Sequence, residues 1–302
     1  MIDVFICTYN PDPAYLKRTV DGILSQDLSK ESFNFTIIDN NSKSPVDGID
    51  FVKELGISVV VEKKQGLTAA RGCAASIAQG EILVFVDDDL VIEKNYLSTV
   101  LNVFKNDKIG IVSGGIYPEY AQQPKPWFYR FEGMLAIRKL NAADEFLENK
   151  DTVFNELFPL GAGMCIRAEL LKEYYNIHLA TESYIEGRKG DELSSSEDLD
   201  LDFYAIYKGY SIGVCPALKS THLIPESRLS VDYLRRLAFY SLKSNYQLNE
   251  KWLPVFNKNV FTFFNQNSIK LFIRMVLHKI LSFKKSHYLR YWHFRNLLEL
   301  KK

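Results

Sequence analysis

Three consecutive carboxylates, Asp87, Asp88 and Asp89, close a run of five apolar residues over 82–86. The run is rich in β-branched types and reads as a strand buried on both faces. Adjacent negative charges at the end of such a strand repel one another and add nothing to packing, so they call for a compensating cation or a tight hydrogen-bond set. A divalent metal bound to a phosphorylated ligand is the simplest compensation, because hard oxygen ligands suit Mg²⁺ or Mn²⁺ and a diphosphate completes the coordination. A solvated acidic turn is the alternative. A second acidic group follows Ser194, Ser195 and Ser196: Glu197, Asp198, Asp200 and Asp202. Serines before acids signal a helix N-terminus, where the dipole favours carboxylates. In a helix starting near Glu197, Asp198 and Asp202 share a face while Leu199, Phe203 and Ile206 form the buried stripe, so one first-turn carboxylate can point into a cleft.

The elements that must position these groups follow from periodicity. Strands are expected over 4–7, 35–38, 57–61, 82–86 and 109–113, and helices over 16–24, 67–76 and 96–104. Strands alternating with helices at this spacing imply an α/β fold with a Rossmann-like, mostly parallel sheet and helices on both faces. Ligands of such sheets bind beyond the carboxyl ends of the strands. The polar tips there are Thr8-Tyr9-Asn10, Asp39 with Asn41 behind it, and Asp87 to Asp89. Hydroxyl and amide groups suit a nucleobase and ribose, and the aspartates suit metal and phosphates. Asn10 and Asp39 taken singly also fit helix caps or Asx turns; their convergence favours a ligand. No G-x-G-x-x-G follows the first strand and no P-loop occurs in the sequence, which removes the main support for a dinucleotide oxidoreductase or a P-loop enzyme.

At 302 residues, 47% hydrophobic and 25% charged, the chain has material for one large domain or two intimately packed ones. Four scattered cysteines without a C-x-x-C pair suggest reduced thiols in a cytoplasmic protein. Neither a secretory signal nor a spanning helix is expected. The net charge is zero but unevenly placed. Residues 251–302 hold eleven Lys and Arg against one acid, Glu299, leaving a matching negative excess in residues 1–250. A basic tail on an acidic body points to an anionic partner surface.

Cys7-Thr-Tyr-Asn10, Asp39-Asn-Asn-Ser42, Gly66-Leu-Thr-Ala-Ala-Arg-Gly72 and Val86-Asp-Asp-Asp89 resemble, in order and spacing, the N-terminal motifs of glycosyltransferase family 2, with its nucleotide-diphospho-sugar transferase (glycosyltransferase-A) fold. The resemblance covers about residues 2–240. It implies a donor site with Thr8, Tyr9 and Asp39 around uracil or another base, Arg71 near base and phosphates, and Asp87 and Asp89 as a metal-binding D-x-D. In its light Asn10, Asn41 and Asp88 join the donor-binding set. It also implies that the pair Glu197-Asp198 supplies the catalytic base, with Asp198 in that role, although Ser196 stands where a glycine is usual. The run His222-Leu-Ile-Pro-Glu-Ser-Arg228 resembles a subgroup that ends its catalytic domain this way, and His222 then either completes the metal site or contacts phosphate. A buried, satisfied histidine is the other reading.

Residues 114–158 read as irregular loops. Gly161 and Gly163 allow close backbone approach, to donor sugar and pyrophosphate or simply within a tight turn. The chain divides into a donor-binding half over 1–113, an acceptor-binding and catalytic half of the same domain over 114–232, and a helical basic C-terminal extension over 233–302. Within 260–302 a basic amphipathic helix with aromatics fits an anionic membrane surface, on the inner face of the plasma membrane; packing against the acidic body is the alternative. The expected activity is inverting, metal-dependent transfer from a nucleotide-diphospho-sugar, UDP-linked by preference, to a hydroxyl of a glycan or lipid-linked acceptor in cell-surface polysaccharide synthesis. Nucleic acid is not an expected partner. A sugar-phosphate nucleotidyltransferase and a non-catalytic sugar- or lipid-binding scaffold are the rival classes.

Overall fold

The computed structural model describes residues 1–141, 147–181, 183–190 and 192–301. Lys302, the last residue of the basic tail, lies outside them. The strands are β1 (Ile2–Thr8), β2 (Phe33–Asp39), β3 (Ser58–Val61), β4 (Ile82–Val86), β5 (Leu90–Ile92), β6 (Ile109–Tyr120), β7 (Leu147–Asn149), β8 (Cys165–Arg167) and β9 (Ser211–Ile224). The helices are α1 (Pro13–Leu24), α2 (Asp50–Glu54), α3 (Leu67–Ile77), α4 (Tyr96–Val103), α5 (Ala168–Ala180), α6 (Glu197–Tyr207), α7 (Val231–Phe256), α8 (Ser268–Ile280) and α9 (Lys285–Leu300).

One sheet carries the order β3-β2-β1-β4-β8-β6-β9-β5, with β7 also paired to β9. Its long ladders are parallel, and the antiparallel ones span two or three residues. The expected α/β class with a mostly parallel sheet is therefore the one found. β1 and β4 run through the middle, buried on both faces, as their apolar runs require. Apolar side chains fill one core cluster on each side of the sheet, and α1 and α3 supply residues to opposite clusters.

Register sets the site. Ile6 pairs with Val86 and Thr8 with Asp39, so the ends of β1, β2 and β4 reach one edge together and Thr8 stands level with Asp88. The Thr8 hydroxyl donates to the Asp88 carboxylate as that alignment demands.

The sheet extends further than periodicity suggests. β6 runs on through Tyr120, where irregular chain was expected, and β9 continues past Pro216 to Ile224. A bulge explains both: Gly114 pairs with Cys215 but Gly115 with Lys219, so the chain around Pro216 loops out of the ladder where its missing N–H does no harm. The short β5 pairs Leu90 with His222, which brings a histidine from far along the chain beside Asp89.

Candidate active site

A cleft of about 770 Å³ opens at the carboxyl ends of β1 and β4, within the range of about 300–1,000 Å³ common for small-molecule sites. Thr8, Tyr9 and Asp87 to Asp89 line one part of it, and Arg71, Gly161, Glu197 and Asp198 another. Two acidic groups more than a hundred residues apart in sequence thus share one cavity.

The three strand-end carboxylates point different ways. The Asp87 carboxylate makes no hydrogen bond or ion pair among the described residues, and that of Asp88 accepts from Thr8. Asp89 is 2.9 Å from Arg228 Nη1 and 3.5 Å from His222 Nε2. Burial, then the charge of Asp89, raise the pKa of Asp87, and the same two causes push Asp88 up to about 7. Burial also works against ionised Asp89, but His222 and the Arg228 guanidinium outweigh it and hold that carboxyl below the usual range. Charge compensation has gone to one carboxylate of the three. Among the described residues no three of His, Cys, Asp and Glu converge as a ligand set.

The other side is built around Arg71, buried in α3 and lying over the Phe85 ring at 5.3 Å. Its Nη1 is 3.3 Å from Glu197 Oε1 and its Nη2 donates to the Gly161 carbonyl at 3.2 Å. Gly161 N–H in turn donates to Asp198 Oδ2 at 2.8 Å, and Leu199 N–H donates to Asp198 Oδ1 at 2.9 Å. A Cβ at position 161 would stand 2.8 Å from Arg71 Nη2 and 3.1 Å from Asp198 Oδ2, so a larger residue there would push the guanidinium aside. Glu197 is buried; burial, then the charge of Asp198, push it up to about 7 against the pull of Arg71.

The sign of that shift gives a stability prediction. A carboxyl that binds its proton more tightly when folded stabilises the fold at low pH and loses that contribution as pH rises toward the folded pKa. The metal-free protein is therefore expected to melt at lower temperature as pH goes from about 5 to about 8, and Glu197→Gln is expected to flatten the slope. Calorimetric scans across pH check this; a slope unchanged in the variant removes Glu197 as its source.

Ser196 adopts φ 84° at the N-cap of α6. A non-glycine residue there is strained by about 1 kcal/mol or more, and the Ser196 hydroxyl offsets this by donating to Asn245 Oδ1 at 2.7 Å. Its neighbour Ser195 donates to Ser241 Oγ at 3.1 Å. α7 therefore clamps the turn that aims Glu197 and Asp198, and its residues Tyr233, Leu237, Ser241 and Asn245 form a side of the cleft.

Several expected residues stand elsewhere. Both Asp39 oxygens accept backbone N–H groups, from Ser42 and Val46, so this buried carboxylate shapes its own turn. Asn10, at φ 52°, accepts from Lys43 N–H, and Asn41, at φ 63°, is exposed; neither lines the cleft, whereas Asn40 does. Gly163, at φ 73°, offers its carbonyl to the Tyr96 hydroxyl at 2.6 Å, so the close approaches at both glycines are to protein groups. His222 is buried, with Nδ1 3.0 Å from the Leu135 carbonyl. Asp202 shares no cleft with Asp198: it is wholly buried, its carboxylate has no hydrogen-bond partner among the described residues, and burial, then the charge of Asp198, raise its pKa.

Arg188 and Arg228 were not among the expected site residues, yet both line the cleft, and the charge of Arg188 acts on Asp87, Asp89 and Glu197 alike. A cation in the loop Glu186-Gly-Arg188 was visible in the sequence; its place between the acidic groups was not.

The family model described as Glycosyl transferase family 2 matches residues 3–175, more than half of the chain. The uncharacterized glycosyltransferase MJ1057 of Methanocaldococcus jannaschii is 22% identical over 267 residues, covering 83% of this chain and 79% of that protein. The glucosyl-dolichyl phosphate glucuronosyltransferase of Haloferax volcanii is 23% identical over 200 residues, 63% of this chain and 58% of that protein. Among solved structures, S. aureus TarS 1–349 in complex with UDP superposes with a TM-score of 0.52 at 17% identity, over 99% of this chain and 90% of that one, a likeness of fold.

Proposed function

Since the chain belongs to glycosyl transferase family 2, we propose that it is an inverting enzyme that moves a sugar from UDP to a hydroxyl of a glycan or lipid-linked acceptor in cell-surface polysaccharide synthesis. The observation that carries this reading is the single cleft in which the β4 carboxylates face Asp198 at the start of α6. UDP as the nucleotide draws support from the fold shared with a UDP-bound neighbour, and a lipid-linked acceptor from a relative named for a dolichyl phosphate substrate.

Two backbone N–H groups fix the Asp198 carboxylate, which lines the cleft. An acceptor hydroxyl placed there gives its proton to Asp198 as its oxygen bonds to the anomeric carbon, and the bond from that carbon to the diphosphate oxygen breaks on the opposite face. Arg71 and Arg188 place positive charge toward the departing diphosphate. The acidic strand end fits Mn²⁺ or Mg²⁺: the Asp87 carboxylate has no hydrogen-bond or ion-pair partner among the described residues, Asp89 follows two residues on, and Mg²⁺ commonly takes one or two carboxylates and completes its shell from substrate phosphates. When bound, the ion would neutralise charge developing on the leaving group. His222 Nε2 lies 3.5 Å from Asp89 and 3.2 Å from Arg228 Nη1, so joining that set would require it to give up the Arg228 contact.

Calorimetric titration with UDP tests the donor site. Binding is expected with Mn²⁺ and at least about tenfold weaker with EDTA or in Asp87→Asn. Asp87 is the cleaner probe, because changing Asp89 also frees Arg228. UDP binding that ignores both EDTA and the variant removes the metal from the reading; absence of UDP binding removes UDP.

A further inference from the structure

α8 is unevenly covered. Leu271 is fully buried against the body, while Ile269 is 70% exposed and Ile280 69% exposed on the opposite side. Ile269, Phe272, Ile273, Val276, Leu277 and Ile280 recur at the i, i+3, i+4, i+7, i+8, i+11 spacing of one helical face, and all are exposed. Phe283, just beyond the helix, is 76% exposed. At about 100° per residue, Lys270 and Arg274 flank this face along one edge and Lys279 along the other. The Lys270 and Lys279 side chains have no acidic or hydrogen-bonding partner among the described residues.

We propose that this outward face of α8 is a docking surface for an anionic lipid bilayer, its apolar side chains entering the acyl boundary and the flanking cations meeting lipid phosphates. An apolar stripe bordered by Lys and Arg is the distribution such an interface selects. No described helix is long and apolar enough to cross a membrane, so the contact is one that lies on the surface. A second copy of the chain fits less well, because pairing α8 with α8 brings the same cations together, and Glu299 is the one acid of residues 251–302. α8 packs on α9, α9 on α7, and α7 lines the cleft, so docking also holds the cleft at a fixed height above the lipid.

The proposal deepens the reading of a lipid-linked acceptor, and its test is separable from the donor site. Full-length protein is floated with vesicles of phosphatidylcholine and phosphatidylglycerol, or of phosphatidylcholine alone, beside the double variant Ile273→Asp, Leu277→Asp. Both positions are exposed, so the variant keeps its fold, and UDP titration on the same sample reports the donor site independently. Flotation is expected only with the anionic vesicles, falling with salt and dropping at least about tenfold in the variant while UDP affinity is unchanged. Failure of the wild type to float, flotation unaltered in the variant, or a concentration-dependent dimer in sedimentation that the variant abolishes would each overturn it, the last by naming a second copy as the occupant.

Discussion

Asp198→Asn is expected to leave a folded protein that binds UDP with unchanged affinity and turns over about a hundred- to ten-thousand-fold more slowly, the usual worth of general-base help. The substitution keeps shape but not chemistry. An amide oxygen still accepts one of the two N–H groups from Gly161 and Leu199, while the amide nitrogen faces the other, a local cost of roughly 1–3 kcal/mol. Melting temperature and UDP titration separate that cost from loss of the base. Glu197→Gln is the comparator. Glu197 is turned toward the Arg71 guanidinium, so its loss is expected to act on binding and on the pH dependence of stability more than on turnover. Near-normal turnover in Asp198→Asn, with turnover lost in Glu197→Gln, would exchange the two roles.

Asp200→Asn is expected to destabilise the whole fold by about 3–5 kcal/mol, the range for removing one partner of a buried ion pair. Asp200 is fully buried and gathers four donors: the Tyr174 hydroxyl at 2.6 Å, Trp252 Nε1 at 2.7 Å, Lys251 Nζ at 2.6 Å and Ile185 N–H at 3.3 Å. α5, α6 and α7 meet on this one carboxylate. Neutralising it leaves the Lys251 ammonium, 19% exposed, without its counter-ion. A fall in melting temperature on the order of 10 °C follows for a chain of this size, and Lys251→Met added to Asp200→Asn is expected to recover part of it. A melting temperature within a degree or two of wild type would show that solvent or rearrangement replaces the network.

The two variants also differ in what could be read before the fold was known. Asp198 stands out through the resemblance of its neighbourhood to a family motif and through its place in a first helical turn. Asp200 looked like any first-turn acid made comfortable by the helix dipole. Only packing distinguishes them: α6 is covered on nearly all sides, so the acid that faces away from the cleft meets Tyr174, Lys251 and Trp252 instead of water. A helix-wheel argument assigns faces, but which faces are buried depends on what arrives from elsewhere, here α7 from beyond residue 230.

The features legible in the order of residues alone are local in origin. The apolar runs with polar ends specified β1, β2 and β4, and parallel pairing in register then carried Thr8 and Asp87 to Asp89 to one edge, because side-chain alternation and burial leave little freedom in a strand buried on both faces. The small residues of α3 prefigured a closely approached helix, and Arg71 sits in it as expected. Tertiary structure decided how charge is shared. Asp39 and Asp87 end neighbouring parts of the same sheet, yet Asp39 spends both oxygens on its own turn and Asp87 keeps its pair for the cleft. Asp89 is compensated by Arg228 and His222, which arrive through β9 by way of a bulge that no period reveals. Strand and helix signals depend on neighbours a few residues away, whereas the partner of a buried charge depends on a contact closed across much of the chain, and its free energy is set by the dielectric and geometry found there.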